Sequence, residues 1–182
     1  PGTMDHAAYG VKVLFDEGMI RRFLPEDKWD SIIYTAIAHH SDYELPEISD
    51  PQTLLHAKLI RDEDKLDNCR VKLVDSTSTF INVSEEELGT QNITQKVYKT
   101  VFENKCILSA DRITQMDYWV SYIVYFFDIN FKESFDIIAE NDYLNRIIDR
   151  ISYSNPVTKE QMEEIRVYMQ NFINSHTNSQ SF

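Results

Sequence analysis

Basic residues are scarce: 18 Lys and Arg face 30 Asp and Glu, a formal net charge of −12 over 182 residues. That balance argues against bulk nucleic acid as a partner, because neutralising phosphates takes clustered Lys and Arg and no such cluster occurs. A small phosphorylated ligand needs only a local cation and stays open. The chain has only 2 cysteines, Cys69 and Cys106, which form no metal-spaced pair. They read as free thiols of a reducing compartment, so a cytoplasmic protein is expected. No secretory signal is evident. The most apolar stretch, Tyr118 to Phe127, is closed off by Asp117 and Asp128 and falls far short of the ~20 residues of a membrane helix, so no membrane partner is expected. Glycine and proline are few as well, 4 and 5, which leaves long stretches free to form helix. With 42% hydrophobic and 12% aromatic residues, the chain reads as one folded all-α domain over 1–182, not a disordered tail.

Helix signals recur along the chain. Asp5 is a good N-cap for a first helix that ends near Gly18, and Met19 to Leu24 reads as a short second helix. Pro25, Glu26 and Asp27 suit the start of a third, which carries Trp29, Ile32, Ile33, Ala36, Ile37 and His40 at helical spacing. Asp50 and Pro51 predict the cap and first residue of a long helix reaching Leu73. The Ser- and Thr-rich segment 74–90 reads as a loop with at most one short helical turn, dividing site-bearing helices in 5–73 from C-terminal helices in 91–174. Beyond it, helices are predicted near 94–103, 112–127, 131–140, 143–151 and 158–174, the last with a capping box from Thr158 to Gln161. The polar tail from Ser175 is expected to fray.

Chemistry-bearing residues gather at helix ends in the first 70 positions. His40 continues the buried stripe of the third helix through Ile33, Ala36 and Ile37, while His39 sits one step round. On the long helix Asp64 shares a stripe with Ala57, Ile60 and Asp67, which sets a carboxylate against apolar neighbours. An isolated buried charge is costly, so it needs a partner or a metal. Each residue also has a plain structural explanation. An inward histidine is commonly a hydrogen-bonded core residue, and His39 can be solvated at a helix C-terminus, where a cation is favoured. The run 61–68 is by default an exposed face with pairs such as Lys58 to Asp62 and Asp62 to Lys65, each worth only ~0.3–0.5 kcal/mol.

Taken together, Asp5-His6-Ala7-Ala8-Tyr9-Gly10, Ala36-Ile37-Ala38-His39-His40 and Ile60-Arg61-Asp62-Glu63-Asp64-Lys65-Leu66-Asp67-Asn68 resemble the later part of the HD-domain metal-dependent phosphohydrolase family. The stretch from Ile107 to Phe131 is similar to the C-terminal half of a bacterial subgroup of unassigned substrate. The resemblance implies an HD-domain-like helical bundle that hydrolyses a small phosphorylated metabolite or nucleotide with a divalent ion: Mn, Mg, Fe or Zn. Asp64 matches the family's final metal-binding Asp, and Lys65 the cation that follows it and contacts phosphate. His6 and His40 match histidines that bind metal or donate a proton to the leaving group, and His39 does so less closely. The family's upstream His and His-Asp doublet are absent, and neither His56 nor His176 supplies them. A fragment, or a version that has lost part of the metal site, is expected.

A metal serves such chemistry by lowering the pKa of bound water and neutralising phosphoryl charge, and imidazole with carboxylate is a suitable donor set. The alternatives are a non-catalytic module of the same fold that binds a nucleotide or protein partner, and a purely structural helical protein. The aromatic stretch 118–127 reads as core, and Arg112, Arg146 and Arg150 as ion-paired with Asp111, Asp142 and Asp149. Aromatic helical faces leave room for an oligomer.

Overall fold

The structure, a computed structural model, describes residues 5–177. Among these residues the regular structure is entirely helical, as the composition predicts, and no helix is long and apolar enough to cross a membrane. Backbone contacts divide the chain into two units, residues 1–64 and 65–182. The division falls inside a helix and not in the Ser- and Thr-rich segment where a divide is expected.

In the first unit, α1 (His6–Val11) is capped by Asp5, whose Oδ1 accepts the backbone N–H groups of Ala7 and Ala8 at 3.0 and 3.1 Å. The chain continues through a wider turn over Lys12–Asp16 and bends at Gly18, whose φ of 73° suits a residue without Cβ. After a single 3-10 turn at Met19–Arg22, α2 spans Asp30–His39. It starts later than the Pro25 signal predicts, because 25–29 bend and the acidic first-turn group is Asp30, held by an ion pair with Arg21.

The long helix α3 (Pro51–Val74) begins where Asp50 and Pro51 place it. Asp50 Oδ2 accepts from the Thr53 hydroxyl at 2.6 Å and the Thr53 N–H at 2.7 Å, and these bonds hold its carboxyl below the usual range. The buried positions of α3 differ from expectation. Ala57, Arg61, Lys65, Cys69 and Lys72 are buried, whereas Ile60 and Asp67 are exposed. The expected solvated face at 61–68 is thus corrected in part: Arg61, Asp62 and Lys65 are buried, while Glu63 and Asp67 are exposed. Spacing alone places residues on a helix face, but neighbouring segments decide which face is covered.

Among its described residues the second unit contains the end of α3 and seven further α-helices. The segment 74–90 carries two short helices, α4 (Thr77–Phe80) and α5 (Glu85–Thr90). The Ser84 hydroxyl accepts the Glu87 N–H at 3.1 Å, and Glu85, Glu86 and Glu87 fill the electropositive first turn of α5. After α6 (Gln95–Val101), the expected helix 112–127 divides into α7 (Gln115–Ile123) and a tighter turn over Val124–Asp128. The fully buried Asp117 accepts the N–H groups of Thr94, Ile113 and Thr114 at 2.8–3.1 Å, tying the preceding loops to α7.

Helices α8 (Lys132–Glu140), α9 (Tyr143–Asp149) and α10 (Pro156–Thr177) pack on one another. α10 opens at Asn155 and Pro156, not at the predicted capping box: Asn155 Oδ1 accepts the N–H groups of Val157 and Thr158. Proline suits a first helical position, and Thr158 is buried with its hydroxyl donating to the Gln91 carbonyl at 2.7 Å. α10 remains helical through Ser175 to Thr177, and the rest of the polar tail, 178–182, lies outside the described residues.

Trp119, Val120, Ile123, Val124 and Phe126 are buried with Met162, Ile165, Met169 and Ile173 of α10, so the aromatic stretch is core. Each such side chain contributes ~1.5–3 kcal/mol by leaving water. The arginines pair with different partners from those expected. Arg150 reaches Glu85 and the Asp75 carbonyl, and Arg112 lies over the Tyr118 ring. Asp149 meets Arg166 and Asp111 meets Lys96. Adjacent helical residues point about 100° apart, which keeps neighbours such as Asp149 and Arg150 from facing each other.

Candidate metal centre

Small residues bring the first two helices of the site together. Ala7 and Ala36 are buried, and a Cβ on Gly10 would lie 3.3 Å from Ile37 Cγ2, so α1 approaches α2 closely. This approach puts His6, the first residue of α1, against His40, which follows α2. Their Nε2 atoms are 2.8 Å apart and the ring centroids 4.8 Å apart, edge to face. Asp64 on α3 completes the group, and one ligand atom from each of His6, His40 and Asp64 lies within 4.8 Å of the others. His6 is exposed, and His40 and Asp64 are half-buried.

Hydrogen bonds define which nitrogen is available. His40 Nδ1 lies 2.7 Å from the Ile37 carbonyl, which only accepts, so Nδ1 carries a proton and donates it. In the neutral ring Nε2 is then a lone pair, and the proton in the contact between the two rings belongs to His6 Nε2. A carbonyl that fixes tautomer and orientation from behind is the usual support of a ligating histidine.

The other expected site residues fall elsewhere. His39, one position round the helix, turns its Nδ1 to Asp42 Oδ2 at 2.7 Å and is outside the grouping, which corrects its place among the metal ligands. Lys65 Nζ lies 2.7 Å from Asp128 Oδ2 in the second unit, its side chain 7% exposed, so the carbon stem and ammonium expected to meet phosphate are engaged within the protein. His56 is exposed on α3. His176 stacks on Phe135 at 4.5 Å and bonds the Phe172 carbonyl through Nδ1. Neither Cys69 nor Cys106 forms a disulfide, and burial pushes the Cys69 thiol up to about 12, which makes it a poor ligand or nucleophile.

Two imidazoles and a carboxylate suit a divalent transition metal. Ligands ~2.0–2.2 Å from one tetrahedral ion sit ~3.3–3.6 Å from each other, so the imidazole nitrogens, in hydrogen-bond contact at 2.8 Å, have to part by several tenths of an ångström to share one. The carboxylate offers an oxygen within 4.8 Å of a nitrogen of each ring. A cavity of about 420 Å³ in the same unit, lined by Leu24, Trp29, Ile33, Ala36, Ile37 and His56 among others, contains none of the three ligands.

Sequence reasoning missed Arg61. Its guanidinium is buried and bonded to the carbonyls that follow α2. The four-residue spacing of Ala57, Arg61 and Lys65 was the available signal.

Fold and site thus define an all-helical chain whose first unit brings a His-His-Asp grouping together. Comparison with protein-family models, with curated proteins and with solved structures finds no match to this chain.

Proposed function

We propose that His6, His40 and Asp64 bind a divalent transition-metal ion and that the chain works as an HD-type, metal-dependent phosphohydrolase on a small phosphorylated metabolite or nucleotide. One observation carries this reading: three potential ligands, spread from residue 6 to residue 64 and selected by their order in the sequence, lie with their donor atoms within 4.8 Å of one another. When bound, such an ion supplies a water acidic enough to ionise near neutral pH and neutralises charge on phosphoryl oxygens. Asp64 offers the anionic ligand, and His40 offers Nε2 in the tautomer set by the Ile37 carbonyl. His6 has to give up its Nε2 proton, or move it to Nδ1, before both rings can serve one ion. The exposure of His6 leaves that face of the grouping open to a substrate.

A second reading, a non-catalytic module of the same fold that binds a nucleotide or a protein partner, has one observation in its favour. The Lys65 ammonium is paired with Asp128, so the cation assigned to phosphate is engaged elsewhere. Titration with Mn²⁺ and Co²⁺, followed by hydrolysis of p-nitrophenyl phosphate and bis-p-nitrophenyl phosphate, separates the readings. Wild-type protein is expected to bind one equivalent and Asp64→Ala to lose it. Binding without turnover selects the module, and equal metal binding by both proteins removes the site.

A further inference from the structure

Arg61 is 1% exposed, and its guanidinium lies among backbone carbonyls. Its Nη1 donates to the carbonyls of His39, His40 and Asp42 at 3.0, 3.3 and 2.8 Å, and its Nη2 to that of Tyr43 at 3.4 Å. These are the carbonyls at and just beyond the end of α2, where a helix leaves its acceptors without intrahelical donors and where a positive charge is favoured. A planar fork of donors on a long stem can gather several of them, which a lysine's single ammonium does less well.

Arg61 also stands three residues before Asp64, one turn earlier on α3. One stretch of rigid helix therefore carries both the clamp on the His39–Tyr43 backbone and the carboxylate of the His-His-Asp grouping. His40 is held twice, by its own carbonyl through Arg61 and by its ring Nδ1 through the Ile37 carbonyl. With both ends fixed, Nε2 has little freedom to leave the position facing His6 and Asp64.

We propose that Arg61 is a positioning residue of the metal centre: by clamping the His39–Tyr43 backbone it sets the distance between His40 at the end of α2 and Asp64 within α3. The inference rests on the metal-binding reading above and adds a residue to it. Removing a group that orients a ligand typically costs ~10–100-fold in metal affinity, and a loss in that range is expected here.

The test uses the whole chain as wild type, Arg61→Gln, Arg61→Lys and Asp64→Ala, titrated with Co²⁺ alone. Visible absorption reports the coordination geometry, and a urea midpoint is recorded for each protein. Arg61→Gln is expected to weaken Co²⁺ binding ~10–100-fold and to shift the bands even at saturating metal, a change that lost stability alone does not produce. Arg61→Lys, which reaches only part of the carbonyl set, is expected to fall between Arg61→Gln and wild type. Either variant carries the measurement if the other fails to fold. Wild-type affinity and spectrum in the folded Arg61 variants, with binding lost in Asp64→Ala, overturns the positioning role and leaves the metal site standing. Absence of Co²⁺ binding by the wild type overturns both.

Discussion

Replacing Gly89 by alanine is expected to destabilise the second unit although alanine is the better helix former. Gly89 is the next-to-last residue of α5, and it is buried. A Cβ built there meets the Ser152 carbonyl oxygen at 2.2 Å, the Ser152 carbonyl carbon at 3.1 Å and Ile151 Cγ2 at 3.6 Å. The first two are backbone atoms, so no side-chain rotation relieves them, and α5 must separate from the 151–155 segment by about 0.8 Å to reach even the 3.0 Å limit of real contacts. That movement pulls on the Gly89 carbonyl, which accepts the N–H groups of Ser154 and Asn155 at 3.0 and 3.1 Å. Overpacking costs ~1–3 kcal/mol and each weakened hydrogen bond up to ~1 kcal/mol. The helix preference of alanine over glycine returns at most ~1 kcal/mol. The net effect is a loss of about 2 kcal/mol. With a urea dependence of ~2 kcal/mol per molar, the midpoint falls by about 1 M. Urea titration in a Trp29→Phe background reads this through the fluorescence of Trp119, which is buried in that unit's core. A midpoint equal to or above that of the parent refutes the argument, because the close approach would then be unnecessary.

Lys65 and Asp128 are expected to be energetically coupled, so in a double-mutant cycle with Lys65→Met and Asp128→Asn the double variant falls short of the summed losses by ~1–2 kcal/mol in urea unfolding; strict additivity argues against the ion pair at 2.7 Å. At pH 8, iodoacetamide is expected to modify the part-exposed Cys106 well before the buried Cys69, and equal rates refute that placement. Burial raises the Cys69 thiol to about 12 from an ordinary 9.0, while the nearby Lys72 pulls it weakly the other way. Its stabilising contribution is therefore whole below the ordinary thiol value. It is lost as pH rises towards 12, since only the unfolded chain ionises over most of that interval. Urea midpoints measured from pH 8 to 11 should fall less steeply in Cys69→Ala than in the wild type.

The long helix was legible because its signals are local, whereas the candidate ligands were singled out by the resemblance of three separated segments taken together. Asp50 and Pro51 are a cap and a first-turn proline, and the period of α2 separates His40 from His39 within a few residues. The apolar stretch at 118–127 declared itself core by composition, since no arrangement in water leaves so many aromatic groups exposed cheaply. Local signals misled where two were close together: Asn155 and Pro156 outcompete Thr158 as a helix start, and Ser84 with three glutamates makes a helix in a segment that reads as loop.

Helical character and the acidic balance follow from the chain itself, because backbone propensity and side-chain charge belong to individual residues and their near neighbours. Tertiary structure alone decided that Arg61 and Lys65 are buried and that two imidazoles and a carboxylate converge. Burial and convergence depend on which distant segments cover a face, and no period within one helix encodes that.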